Sequence, residues 1–257
     1  VDLVTHIIAV ANQKGGVGKT TTAVNLSACL AVAGKKTLLV DMDPQGNATS
    51  GLGIDKEALS LDLYDCLINE APLESVIQKT AVKKLSIVPA TMDLAGAAVE
   101  MVGMAERETV LRRILATVSK SYDYVLIDCP PSLGLLTLNA LVAAQSALIP
   151  VQCEFYALEG LAQLMQTVEL VRANMNQHLQ LLGVVLTMFD GRTNLSIQVA
   201  DEVKKYFKGQ VFKTIIPRNV RLSEAPSYGE PIITYDPRSR GADVYTKLAK
   251  EVIHRAR

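Results

Sequence analysis

The run Ala11-Asn12-Gln13-Lys14-Gly15-Gly16-Val17-Gly18-Lys19-Thr20-Thr21-Thr22 constrains this chain more than any other stretch. An apolar segment, Ile7 to Ala11, leads into it, and an apolar-periodic one, Ala23 to Ala33, leads out. A strand, a glycine-rich turn and a helix in that order are the context of a phosphate-binding P-loop. Small residues let successive backbone N–H groups turn inward around an anion. The helix N-terminus adds its partial positive charge. Gly15, Gly16, Val17, Gly18 and Thr21 are therefore expected to cradle phosphates, Lys19 to reach the outer ones, and the Thr20 hydroxyl to hold Mg²⁺. The usual pattern places a glycine at position 13. This chain has Gln13, and a second lysine, Lys14, directly ahead of the glycine pair.

The rest of the chain alternates apolar runs with helical patterns. The strands expected are Ile7–Ala11, Thr37–Val40, Leu85–Val88, Tyr124–Ile127, Ala147–Val151, Leu181–Leu186 and Val211–Ile216. Near-continuous apolar strands are buried on both faces, which implies a mostly parallel sheet in a doubly wound α/β fold. The breaks are short, with no linker, repeat or low-complexity tract, so residues 1–257 read as a single domain. Between Gly51 and Lys84 the signals mix; Ser60 stands ahead of a Leu61–Leu67 helical pattern, and the stretch is expected to cover one sheet edge. Met92, Met101 and Met104 read as core filler. The final helix, about Asp243 to Arg257, puts Val244, Leu248, Val252 and Ile253 on one stripe. A terminal helix packed on the domain accounts for it better than a membrane-targeting one.

Composition narrows the class. Aromatic residues are 5% of the chain and Trp is absent, so the core is aliphatic. Lys+Arg and Asp+Glu both number 26, so overall charge names no partner. From Lys204 onward there are twelve Lys/Arg against five Asp/Glu, which fits either a basic face or ordinary solvated charge. Cys29, Cys66, Cys129 and Cys153 have no metal-ligand spacing, and Cys29, in the helix after the loop, is expected to be buried. His6, His178 and His254 are scattered and carry no expected chemistry. No run approaches the roughly 20 apolar residues of a membrane span, and no signal peptide is visible. The chain reads as cytoplasmic.

Two further acidic strand ends stand out. Leu39-Val40-Asp41-Met42-Asp43-Pro44-Gln45-Gly46 closes the second strand, and ligands of open α/β sheets sit at carboxyl ends. Turn chemistry alone would also explain an Asp-x-Asp-Pro sequence. Tyr124-Val125-Leu126-Ile127-Asp128 is an apolar strand ending in a carboxylate, the Walker B pattern, and Asp128 is expected to hold Mg²⁺ through its water shell.

Lys14 to Thr21 resembles the deviant Walker A motif of the ParA/MinD superfamily of ATPases, and Asn12–Thr22 as a whole is similar to the chromosomal ParA (Soj) branch. The resemblance is strong again at Asp41–Gly53, Asp128–Gly134, Pro217–Ala225 and Tyr235–Gly241, and weak from Ile54 to Lys120. It implies that Lys14 crosses a dimer interface to phosphates held by the other subunit, so that Lys14, Lys19 and Asp43 are the catalytic set. It implies that Asp43 orients the attacking water and lies at the metal with Thr20 and Asp128, while Asp41 supports the site structurally. Gln152–Gly160 is similar to the segment leading into the interface helix. Pro217 and Asn219, with Met188, would border the adenine. Arginines matching Arg192 and Arg221 would bind DNA phosphates; the other account is that they cap helices or pair with Asp190 or Glu224.

The function implied is a slow, partner-stimulated ATPase. ATP and Mg²⁺ would close a homodimer that holds double-stranded DNA without reading sequence, on the nucleoid. A ParB-like protein would trigger hydrolysis and release, segregating chromosome or plasmid DNA. A membrane-cycling division-site ATPase like MinD is the alternative. A metal-cluster ATPase lacks support in the cysteine spacing, and a nucleotide-binding scaffold without turnover is a third class.

Overall fold

The structure, a computed structural model, describes residues 5–154 and 157–256. Seven strands form one sheet: β1 (His6–Val10), β2 (Thr37–Asp41), β3 (Gln78–Lys79), β4 (Leu85–Val88), β5 (Tyr124–Asp128), β6 (Ser146–Gln152) and β7 (Gln180–Thr187). Their order is β3-β4-β2-β5-β1-β6-β7. All pairings are parallel except β3 with β4. From β1 the chain crosses to β2 on one side, and β6 later joins β1 on the other. The carboxyl end of β1 is thus the switch point where such sheets bind ligands.

Alternation within each strand divides the core. Ala9, Val40, Ile127 and Ile149 face helices Val110–Val118, Leu135–Ala143 and Ala157–Asn174. Ile8, Val10, Leu39 and Leu126 face the other way, towards α1 (Lys19–Val32) and the last helix, Arg240–Arg255. Val244, Leu248 and Val252 of that last helix are buried in this second layer, and Ile253 packs against it half-buried. No helix among the described residues is long and apolar enough to cross a membrane.

Six of the seven expected strands form within a residue or so at each end. The seventh, Val211–Ile216, does not. It runs beside β7, with Phe212 N–H on the Val184 carbonyl at 2.8 Å and Ile216 N–H on Leu186 at 2.8 Å. Between them, the N–H groups of Lys213 and Thr214 donate to the Glu251 carboxylate instead, at 2.8 and 3.1 Å, so only isolated bridges remain. The edge strand β3 was not foreseen, because two residues carry no period. The helix expected behind Ser60 starts later, at Leu63–Ile68, where Asp62 and Asp65 form a reciprocal capping box. Met101 is buried and Met104 half-buried, but Met92 is 60% exposed and is not core.

Candidate nucleotide-binding site

The glycine-rich loop joins β1 to α1 as expected. Gly18, the residue before the helix, has φ +86°, and Gly16 has φ +74°, conformations an L side chain rarely adopts. Two side chains fix the loop from below. Asn12 donates to the Pro150 carbonyl at 2.8 Å and accepts the Lys14 N–H at 3.0 Å. Thr187, at the end of β7, donates to the Val17 carbonyl at 2.8 Å. No side chain caps α1, so its first N–H groups face the loop cavity. Lys19 is buried, and its ammonium donates to the Lys14 carbonyl at 2.8 Å. Burial lowers the Lys19 pKa, opposed by the neighbouring Asp128, Cys129 and Asp43. The ammonium therefore lies in the field of both expected acidic residues.

Asp41, Asp43 and Asp128 gather at the carboxyl ends of the paired strands β2 and β5. Their partners differ. Asp41 is saturated: it accepts Thr49 N–H and hydroxyl at 2.8 and 2.7 Å and Asp43 N–H at 3.2 Å. Asp43, 7% exposed, accepts Gln45 N–H at 2.9 Å in a turn that ends at Gly46. A Cβ on Gly46 would lie 2.5 Å from the Ala90 carbonyl oxygen, so the turn admits only glycine. Asp128 is fully buried, and among the described residues neither carboxylate oxygen has a partner at hydrogen-bond geometry, the nearby Thr20 hydroxyl being too loosely placed to count as one. Burial, then Asp41 and Asp43, push its pKa well up; the nearby Thr20 hydroxyl and Lys19 oppose this without reversing it. A buried carboxylate with both oxygens unmatched is out of balance unless a cation or its waters complete it. The residues present fit Mg²⁺, which takes one or two protein oxygens and otherwise waters and phosphate. Among the described residues no three His, Cys, Asp or Glu side chains converge as a closed metal cage.

Beside the loop lies a cavity of about 400 Å³, mostly apolar, walled by Gly18 and Thr21 and by Met188, Pro217 and Asn219. The three residues expected at a base thus come together on one wall. Asn219 commits its side-chain oxygen to the N–H groups of Arg221 and Leu222, at 2.9 and 3.4 Å, capping the helix Val220–Glu224 and leaving its amide NH₂ to donate. Sequence reasoning missed Thr187, Ile216 and Tyr245 in this wall. Tyr245 reaches it from the last helix and shares a 3.2 Å hydrogen bond with Thr22; only long-range contact brings it there.

Lys14 forms an ion pair with Glu154, just after β6. Of the expected interface segment, Phe155 and Tyr156 lie outside the described residues. Arg192 is on the loop after β7 and Arg221 in the short helix Val220–Glu224 after the neighbouring segment, and both carry carboxylate partners: Asp190 for Arg192, Glu224 and Asp236 for Arg221. All four cysteines are buried and free, and burial pushes the Cys29 thiol up to about 11.

Fold and loop define a P-loop nucleotide-binding protein of the doubly wound α/β class. The family described as an AAA domain matches residues 5–181. The sporulation initiation inhibitor protein Soj of Bacillus subtilis is 63% identical over 96% of this chain and 97% of its own. The chromosome partitioning protein ParA of Myxococcus xanthus is 56% identical over 97% of this chain and 88% of its own. A cobyrinic acid a,c-diamide synthase from Mycobacterium smegmatis, crystallised with ADP and magnesium, superposes with TM-score 0.87 at 37% identity, covering 98% of this chain and 95% of that one. The chain belongs to the ParA/Soj family of chromosome-partitioning ATPases.

Proposed function

We propose that this chain is an ATP-dependent DNA-partitioning protein whose ATP-bound form is a homodimer holding double-stranded DNA through phosphates, without sequence readout. One observation carries the nucleotide part: the unpartnered Asp128 carboxylate stands in the same field as the buried Lys19 ammonium, beside a loop of inward N–H groups and an apolar base-sized cavity. ATP places its base against Met188, Pro217 and Asn219. Its phosphates lie on the backbone of Gly15–Thr21, and Lys19 leaves the Lys14 carbonyl for the outer phosphates. Thr20, Asp128 and Asp43 would hold Mg²⁺, directly or through water, and that ion would supply charge neutralisation on the phosphates. Asp43 orients the attacking water. Lys14 leaves Glu154 to reach the partner subunit's nucleotide, so each site is complete only in the dimer.

Dimerisation doubles the number of arginines offered to DNA. The fold supports this reading rather than a membrane cycle, since the apolar stripe of the last helix is already covered by α1. A ParB-like partner accelerates hydrolysis, and loss of the γ-phosphate releases dimer and DNA together. ATP can drive this only by favouring the DNA-holding state. The deciding experiment is binding to random-sequence duplex DNA with ATP, with ADP and without nucleotide across a salt series. Binding that needs ATP and falls steeply with salt is expected. Dimerisation by ATP with no DNA binding in any state would overturn the cargo while leaving the ATPase.

A further inference from the structure

The arginines assigned to DNA are already engaged in the isolated chain. The Arg192 side chain is 89% exposed, yet its guanidinium takes both Asp190 oxygens: Nε donates to Oδ1 at 2.9 Å and Nη2 to Oδ2 at 2.7 Å. The Arg192 backbone N–H adds a third bond to Oδ1 at 3.1 Å. In the neighbouring short helix Val220–Glu224, Arg221 Nη1 donates to Glu224 Oε2 at 2.9 Å, and its Nε lies 3.6 Å from Asp236. The Tyr235 hydroxyl holds the same Glu224 oxygen at 3.4 Å. A carboxylate and a phosphate want the same fork of guanidinium N–H groups. Each pair also cancels the charge that would draw DNA in.

We propose that Asp190 and Glu224 are positioning residues that compete with DNA for Arg192 and Arg221 and thereby set how strongly DNA binding depends on ATP. The inference rests on the DNA-binding reading above. An exposed pair is weak, so the competition is a threshold rather than a block. One subunit, with few phosphate contacts, falls below it. A dimer, offering both loops twice, clears it by adding contacts on one duplex. The two accounts of these arginines, ion pairing and DNA contact, are then successive states of the same side chains.

The test measures affinity of the full chain for random duplex DNA, with ATP and with ADP, across salt, for the wild type and three charge-matched variants: Asp190→Asn, Glu224→Gln and Asp201→Asn. Asn at 190 can still accept the Arg192 backbone N–H, so the turn is kept. Asp201 is exposed on the helix Asn194–Tyr206 and controls for charge alone. Asp190→Asn and Glu224→Gln should each bind DNA about three- to tenfold tighter with ATP. They should also show a salt slope steeper by about two, one for each subunit of the dimer, and measurable binding with ADP. Asp201→Asn should change affinity by less than about twofold and leave the slope alone. If Asp190→Asn and Glu224→Gln behave like Asp201→Asn, the inference is wrong and the DNA-binding reading stands. If the wild type fails to bind DNA with ATP, both fall. Should Glu224→Gln unfold through its link to Tyr235, Asp190→Asn decides by itself.

Discussion

Thr49 gives Asp41 both its backbone N–H and its hydroxyl, at 2.8 and 2.7 Å, while the same hydroxyl accepts the Ala90 N–H at 3.0 Å. All three residues are fully buried. The end of β2, the short helix Asn47–Gly51 and the segment after β4 are thereby tied at one point, and the loop carrying Asp43 is strung between two of them. Burial pushes the Asp41 carboxyl up to about 6, with the Thr49 and Asp43 hydrogen bonds acting against it. Thr49→Val keeps the shape and removes the hydroxyl, stranding the Ala90 donor and one Asp41 contact. We expect a loss of about 1–3 kcal/mol in urea unfolding, and a fall in kcat larger than any change in ATP affinity, because Asp43 loses its fixed frame. An unchanged unfolding midpoint would show that the tie is idle.

Asp128→Asn should move stability and function in opposite directions. The carboxyl is buried without a hydrogen-bond partner among the described residues, and burial with Asp41 and Asp43 beside it pushes its pKa well up, so keeping it charged costs stability in the nucleotide-free protein. The amide relieves it, and the nucleotide-free variant should melt higher than wild type. The same change removes an anionic oxygen from the proposed Mg²⁺ site, so the Mg²⁺-dependent share of ATP affinity should drop by about tenfold or more. Thermal shifts with and without Mg·ATP read both effects. A variant that melts lower when empty would contradict the unsatisfied-carboxylate account.

Asp43→Ala separates binding from chemistry. Asp43 has one oxygen on Gln45 N–H and the other directed at no described partner in the turn. Of its two proposed tasks, a water-mediated share of the Mg²⁺ and orientation of the attacking water, only the second is realised as the bond breaks, so the loss should fall mainly on kcat. ATP affinity should stay within about threefold while kcat falls by about a hundredfold or more. The ATP-bound variant should also hold DNA longer than wild type. Equal losses in affinity and kcat would make the Mg²⁺ share the whole of its role.

Much of this site is legible in the sequence because its parts are local. Gly15 to Thr21 form one turn and the start of its helix, Asp41 and Asp128 each end an apolar strand, and burial at every position of those strands places both on a parallel sheet. The structural role of Asn12, and Thr187 and Tyr245 altogether, were not visible. Each acts across long sequence separations, Thr187 on Val17 and Tyr245 on Thr22, and single polar residues at strand or helix positions carry no local signature. The failure at Val211–Ile216 has the same origin. The apolar run promised a strand, but a carboxylate from the last helix captured two of its N–H groups.

That capture gives a pH-dependent prediction. Glu251 takes the Lys213 and Thr214 N–H groups and the Arg255 guanidinium, the last at 3.1 Å. Burial alone would raise its pKa, but the two backbone N–H groups and Arg255 outweigh burial, and the carboxyl lies below the usual 4.5. A carboxylate lowered in the folded state binds fewer protons there than in the unfolded chain. Its contribution is therefore complete above the ordinary carboxylate range and is lost as pH falls through the lower folded value. Glu251→Ala should cost about 1–2 kcal/mol at pH 7, and the gap to wild type should narrow below about pH 4.5. The segment it anchors runs straight into Pro217 and Asn219, so the same variant should weaken ATP binding at neutral pH by several-fold. Urea unfolding at three pH values checks the first claim and nucleotide titration the second. A gap that stays constant down to about pH 3 would mean that the contribution of Glu251 does not depend on its ionisation.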